Sequence, residues 1–262
     1  VRVNTEFEVN SLLTVGEKVT VERLTRNTIS ETDNVRNLLI QTLQVDPTVP
    51  ARDSAGNFTA QPRTNDQNPL AALDFQNNEF NENRLVGNVF AELSFLESLR
   101  VRSQFGFDLR NGNTFAFTPE FDISPSFQNV SPSATQFSDF QSSLVWDNTV
   151  TFDQTFGVHD VKAVGGTTIE TNSYRFINAT TQGQPGNDPS LRYLSAGPEV
   201  VNIGGSLAES NLLSFFGRVN YNFSDRYLLT AVARYDGSSR FGANNRFAFF
   251  PSVSAAWRVS EE

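Results

Sequence analysis

Asp147 and Asp153 fall on one side of the alternating segment LVWDNTVTFD, and a carboxylate pair is what glycoside hydrolysis requires. The alternation places both on the polar side of the segment, where solvated charges are expected in any case, and it does not fix their separation. The single histidine, His159, stands beside Asp160 in an expected turn. A zinc site or a nucleophilic triad would have to be built around it, and no Ser or Cys motif accompanies it. The chain contains no phosphate-binding glycine loop, dinucleotide fingerprint, HExxH helix or nucleophile elbow. Asp236-Gly237 is read as a turn pair, since such pairs supply positive-φ residues. No catalytic, cofactor-binding or metal-binding residue is expected, and the chain does not read as an enzyme.

Other residue types point to contact rather than catalysis. There are 24 Phe against five Tyr and two Trp. Phe115, Phe117, Phe121 and Phe127 crowd the stretch FAFTPEFDISPSF, which reads as part of a long loop. They suit contact with a ligand or partner, and they suit packing of loop on loop equally well. Arg218, Arg234, Asp236 and Arg240 are expected to form a charged network that holds the loop GSSRFGANNR against its neighbours. The net charge is -9, with 20 Lys and Arg scattered among 29 acids, so no basic patch is available for nucleic acid. Without cysteine there is no disulfide framework and no thiolate site. Without methionine Val1 is not a translational start, and the chain is expected to be a mature piece or an internal slice of a longer one.

The elements that must carry these residues are strands. VRVNTEFEVN sets Val1, Val3, Phe7 and Val9 against Arg2, Asn4, Glu6 and Glu8, and VRSQFGFDL sets Val101, Phe105, Phe107 and Leu109 against Arg102, Gln104 and Asp108. LLSFFGRVNYNF sets Leu213, Phe215, Val219, Tyr221 and Phe223 against Ser214, Arg218, Asn220 and Asn222. In YLLTAVARYD and PSVSAAWRVS, Thr230, Arg234, Asp236, Ser252, Ser254 and Arg258 oppose the apolar side. With KVTVERLT, NRLVGNVFAEL and VKAVGGTTIETN, about nine strands are expected and no amphipathic helix. Short connections are expected at Thr14–Lys18, Phe95–Leu99, Thr155–Asp160 and Ser224–Arg226. Long ones are expected at Glu31–Asn81, Asn111–Gln136, Ser173–Glu209 and Gly237–Phe247.

Strict alternation of short and long connections in an antiparallel up-and-down sheet gathers all long loops at one end. Outer-membrane barrels have that asymmetry. Mean hydropathy is -0.33 and no apolar run is long enough for a spanning helix, which leaves a membrane barrel open. Phe223, Tyr227 and Trp257, with Phe95 and Phe156, stand near short turns or the chain end, where an interfacial girdle belongs. From pattern alone, a membrane barrel and a soluble extracellular carbohydrate-binding β-sandwich both remain.

The last third of the chain resembles the SusC/RagA type of TonB-dependent outer-membrane receptor. The likeness is carried by Gly217, Arg218 and Tyr221, by Asp225-Arg226-Tyr227, by Arg234 with Asp236 to Gly242, and by Phe250-Pro251-Ser252 with Trp257, Arg258 and Glu261. VPARDSAGNF, NPLAAL, NNEFNENRLVGN and HDVKAVGG follow it more loosely upstream. The resemblance implies an all-β segment, residues 1–262, of a transmembrane barrel of about 22 strands, with the plug domain absent. It also implies import of an oligosaccharide or peptide, a SusD-like surface lipoprotein as partner, TonB acting through the missing plug, and outer-membrane lipid around the wall.

Overall fold

The computed structural model describes residues 1–27, 38–61, 67–75 and 77–261. Nine strands form one antiparallel sheet in chain order without crossover. They are β1 (Arg2–Glu8), β2 (Leu13–Asn27), β3 (Asn77–Leu96), β4 (Leu99–Thr118), β7 (Ser133–Phe156), β8 (His159–Gln182), β9 (Glu199–Phe223), β10 (Tyr227–Ser238) and β11 (Phe247–Trp257). Between β4 and β7 a small separate hairpin pairs β5 (Phe121–Ser124) with β6 (Phe127–Asn129). No second sheet packs on the large one among the described residues, so the β-sandwich alternative has no counterpart in the fold.

Alternation within a strand says nothing about which face its neighbours present, because a one-residue slip reverses every side chain. Register decides it. Arg84 pairs with Glu22 and Arg110, Asp153 with Lys162, Lys162 with Asn220, and Asn220 with Thr230, which pairs with Ser254. Followed strand by strand, the pairing brings every polar set onto one face and every apolar set onto the other. The apolar face is as exposed as the polar one: Phe105 is 41% exposed, Trp146 48% and Val219 44%. That is inside out for a protein in water and ordinary for a wall whose outer face meets lipid.

The apolar band does not run straight across the sheet. Val21 pairs with Leu85 and Leu85 with Leu109, but the same row continues into Ser142, Ser173 and Glu209. At the far edge the apolar residues lie lower, from Tyr227 to Tyr235 in β10. Strands tilted to the membrane normal require this stepping of the band from strand to strand.

Three expectations need correction. Thr14–Lys18 is not a turn but the start of β2, and the connection is Val9–Leu12, where the Asn10 side chain accepts from the Leu12 and Leu13 amides at 2.9 Å each. Gly16, within that span, lies beneath the Phe90 ring, and a Cβ there would stand 2.6 Å from it. The long connections are also shorter than expected, because β4, β7, β8 and β9 run on through Asn111–Thr118, Ser133–Ser143, Ser173–Gln182 and Glu199–Ser210. Finally, the first long connection contains two short helices, α1 (Leu38–Gln44) and α2 (Pro69–Phe75), each too brief to show a period. Part of that connection, residues 28–37, 62–66 and 76, lies outside the described residues. The turn Ser224–Arg226 is as expected: three residues join the paired Phe223 and Tyr227, the Arg226 amide donates to the Phe223 carbonyl at 3.0 Å, and Ser224 and Asp225 both have positive φ, 51° and 56°.

Candidate functional site

The polar face is a ladder of cross-strand charge pairs. Arg84 donates from Nε and Nη2 to the two oxygens of Asp108 at 2.9 and 2.6 Å. Arg110 reaches Asp139 at 2.9 Å and Glu82 at 3.7 Å, Arg102 reaches Glu92 at 3.5 Å, and Lys162 reaches Asp153 at 2.9 Å. Most of these groups are half exposed, so each pair contributes only about 0–1 kcal/mol. Their effect is to keep the wall hydrophilic while cancelling charge locally. Two aromatics are sheltered in the ladder. Phe90 lies over Gly16 and beneath the Arg102 guanidinium, 3.8 Å from its ring, and Phe216 lies against Gly166 with the Arg234 guanidinium 5.6 Å away. This explains why large apolar residues and arginines alternate here with glycines on neighbouring strands.

Asp147 and Asp153 share this face but not a site. Six residues of one strand separate them by about 20 Å, whereas glycosidase carboxylates stand roughly 5–10 Å apart. Asp147 accepts from the Thr168 hydroxyl at 2.5 Å, and Asp153 is held by Lys162. No cluster of His, Asp and Glu among the described residues suits a metal ion.

The four charged residues expected to act together divide into local pairs. Arg234 binds Asp236 at 3.2 Å, and Arg218 donates to Asn220 at 3.0 Å. Arg240 reaches the Ser210 hydroxyl at 3.4 Å, and beside it the Ser239 amide donates to the Asn211 carbonyl at 2.9 Å, while the Asn211 amide donates to the Ser239 hydroxyl at 2.8 Å. The loop is thus held against β9, chiefly through Ser239 and Asn211. Serine and asparagine in a loop give no distinguishing pattern in sequence.

At the short-turn end the aromatics form one directly paired row on the apolar face: Phe156, His159, Phe223, Tyr227 and Trp257. Phe223 stacks near Tyr227 with centroids 6.3 Å apart, and Tyr227 near Trp257 at 6.5 Å. His159 is the first residue of β8, not a turn residue, and its Nδ1 is 2.7 Å from the Tyr221 hydroxyl. A membrane interface is where rings with one polar tip belong.

The phenylalanine quartet divides as well. Phe115 and Phe117 belong to β4, on the apolar-face side, rather than to a loop. Phe117 is buried with the Arg192 guanidinium 4.9 Å from its ring, and Phe115 lines a cleft of about 550 Å³ with Gln136, Arg192 and Tyr193. Phe121 stacks on Phe75 at 4.3 Å and meets Phe127 at 4.9 Å edge-on. With Phe58, Ala71 and Ala72 they make a small core that joins the β2–β3 and β4–β7 connections. On the polar face, a cleft of about 430 Å³ is lined by Gln141, Asn172, Tyr174, Ser210 and Arg240. Sequence reasoning missed it because TNSYRF loses its apolar side there and reads as loop. The parity of Asn172 and Tyr174, carried on from Lys162 and Thr168, was the available signal.

Known proteins match this arrangement. The model of the family described as TonB dependent receptor-like, beta-barrel, matches residues 25–262. TonB-dependent receptor SusC of Bacteroides thetaiotaomicron is 31% identical over 213 residues, which cover 78% of this chain and 20% of that protein. TonB-dependent receptor P3 of Formosa agariphila is 30% identical over 208 residues, covering 79% and 21%. The fold superposes on the structure of the RagAB peptide transporter with a TM-score of 0.82 at 23% identity, covering 97% of this chain and 29% of that one. The chain spans about a fifth of the length of the curated relatives it matches. With one face polar and charge-paired, the other apolar and girdled, and residues 25–262 matched by the family's barrel, the chain belongs to the TonB-dependent receptors of SusC/RagA type and forms part of the wall of their outer-membrane β-barrel.

Proposed function

We propose that these nine strands are wall of an importer of about 22 strands whose lumen holds a plug, and that TonB acts through that plug to admit an oligosaccharide or peptide. A SusD-like surface lipoprotein delivers the ligand at the long-loop end. The observation that carries this reading is the common polar face produced by the strand register, since a continuous hydrophilic wall is needed only where a lumen is wet. Names of relatives support it: SusC is a TonB-dependent receptor, and RagAB is a peptide transporter. Within the lumen the cleft at Asn172, Tyr174 and Arg240 offers an aromatic surface, an amide and a cation, a set that suits sugar hydroxyls and peptide carbonyls alike. The aromatic cleft at Phe115 opens on the other side of the sheet, so a ligand in transit meets Tyr174 rather than Phe115.

The test is uptake by cells carrying the complete receptor, scored with labelled oligosaccharides and peptides in the presence and absence of TonB. TonB-dependent accumulation of one class, reduced by Tyr174→Ala with receptor levels unchanged, is the expected result. Accumulation that ignores TonB contradicts the importer reading.

A further inference from the structure

Aromatic rings on the polar face of strands β3 to β9 fall into two kinds. Phe80, Phe90 and Phe216 each have a guanidinium over the ring, from Arg26 at 4.7 Å, Arg102 at 3.8 Å and Arg234 at 5.6 Å. Phe137, Tyr174 and Phe176 lie on the same face, and among the described residues no cation covers them. Phe137 pairs with Asn178, Phe176 with Asp139 and Tyr174 with Gln141. Their rings follow one another, with centroids 6.1 Å apart between Tyr174 and Phe176 and 5.8 Å between Phe176 and Phe137, the last two inclined by only 22°. They form one ridge that climbs from the cleft at Asn172 and Arg240 toward the long-loop end.

Strand β9 leaves room beside this ridge. Tyr174, Phe176 and Asn178 pair with Ala208, Ser206 and Gly204, and the Asn178 side chain leans across Gly204, where a Cβ would stand 2.6 Å from its Oδ1. The result is a shallow trough with an aromatic side, a floor of small residues, and the amides of Gln141 and Asn178 along it. The carboxylate directly beside Phe176 is already engaged: Asp139 is 7% exposed and accepts from Arg110 at 2.9 Å. The backbone is engaged too, because β8 is paired along its length with β7 on one side and β9 on the other.

These groups distinguish the two classes of cargo. An extended peptide bound to a sheet takes its affinity from main-chain hydrogen bonds to a free strand edge, and β8 offers none. A pyranose asks for something else. Its weakly positive C–H surface packs on the negative face of an aromatic ring, and its vicinal hydroxyls match side-chain amides, which donate and accept at once. The uncovered ridge supplies the first, and Gln141 and Asn178 supply the second. We propose, resting on the importer reading above, that the ridge is a sugar-binding site on the lumen wall. Tyr174, Phe176 and Phe137 hold successive residues of an oligosaccharide in passage, and the two phenylalanines make the receptor select oligosaccharide over peptide.

The experiment uses the complete receptor, in cells for uptake and purified in mild detergent for binding. The probes are fluorescent oligosaccharides cut from starch, cellulose, laminarin, xylan and alginate, with tryptic peptides of casein carrying the same label. Phe176→Leu and Phe137→Leu keep apolar bulk and remove the ring. Each is expected to weaken binding of the preferred glycan about three- to tenfold, the worth of one aromatic contact. Phe176→Tyr retains the affinity, and Phe80→Leu, whose ring is already covered by Arg26, leaves it unchanged. An apolar peptide side chain packs on leucine as well as on phenylalanine, so peptide association should not respond to either substitution. Binding of none of the glycans, equal glycan affinity in wild type and both leucine variants, or an equal loss in Phe80→Leu would each overturn the proposal. Heat-modifiable migration reports whether each variant is folded. If the leucine variants are not, Ser206→Leu, which fills the trough with every ring in place, should weaken glycan binding, and unchanged binding there overturns the site. A receptor that takes up peptides with TonB yet binds no glycan rejects the sugar site and leaves the importer reading standing, whereas accumulation that ignores TonB counts against that reading itself.

Discussion

The lower and upper halves of the same strands obey different rules. Between Leu213 and Phe223, β9 alternates, with Val219 and Tyr221 on one face and Arg218 and Asn220 on the other, and only Phe216, sheltered among the polar groups, departs from it. Between Glu199 and Ser210 the ladder to β8 continues through Phe176–Ser206 and Asn178–Gly204, yet the residues no longer sort by face. Backbone pairing is common to both halves, so pairing does not cause alternation. The medium does: lipid on one side and water on the other enforce period two, whereas water on both sides leaves either face free to be polar. In the upper half, order comes instead from loop contacts such as the phenylalanine core beside α2 and the Asn187 side chain, which both donates to and accepts from the backbone of Glu120.

Each half can be disturbed without the other. Phe127→Ala removes a buried ring from the small core, and such truncations cost on the order of 3–5 kcal/mol where packing is tight. Limited proteolysis of the complete receptor should then cut within residues 119–132, while heat-modifiable migration of the barrel stays unchanged. Loss of the barrel together with the loop would show that the halves are coupled.

Val219→Arg acts on the band. An arginine near the bilayer midplane costs about 2–4 kcal/mol, against roughly 0–1 near the interface. Leu207→Arg, on the same strand and the same face but above the band, should therefore leave outer-membrane levels close to wild type, as should Asn220→Arg on the polar face. Equal losses at Val219 and Leu207 would remove the distinction between the halves.

The smallest effect concerns the β8–β9 connection. The Asp188 carboxyl is held below its usual range by the Ser190 hydroxyl and then the Ser190 amide, which it accepts at 2.6 and 2.8 Å. Because folding depresses this value, the turn's contribution is present above the ordinary carboxylate value of about 3.9 and is lost as pH falls through the folded value beneath it. Amide exchange around Ser190 should rise on acidification below about pH 4, and Asp188→Asn should remove the dependence. Unchanged pH dependence in Asp188→Asn would assign it elsewhere.

The same division explains what the sequence made legible. Strands with a lipid side, such as Val101–Leu109 and Leu144–Phe152, announce themselves through alternation, and the aromatic row at Phe223, Tyr227 and Trp257 follows from proximity to short turns. The extensions Asn111–Thr118 and Ser173–Gln182 carry no such signal, so Phe115 and Phe117 pass for loop residues and Tyr174 for an unremarkable one. The span Thr14–Lys18 is illegible for another reason: Gly16 admits the Phe90 ring of a strand far away in sequence, and no local pattern records that contact. Ion pairs such as Arg84–Asp108 and Arg110–Asp139 likewise depend on register, which only the paired strands display.

The most direct measurement scans β9 of the complete receptor with single cysteines from Asn202 to Phe223, each carrying a fluorophore, against a quencher confined to the lipid core. The account predicts strong quenching at Leu213, Phe215, Gly217, Val219 and Tyr221, weak quenching at the residues between them, and uniformly weak quenching from Asn202 to Ser210. Period-two quenching that continued unbroken to Asn202, or its absence between Leu213 and Tyr221, would contradict it.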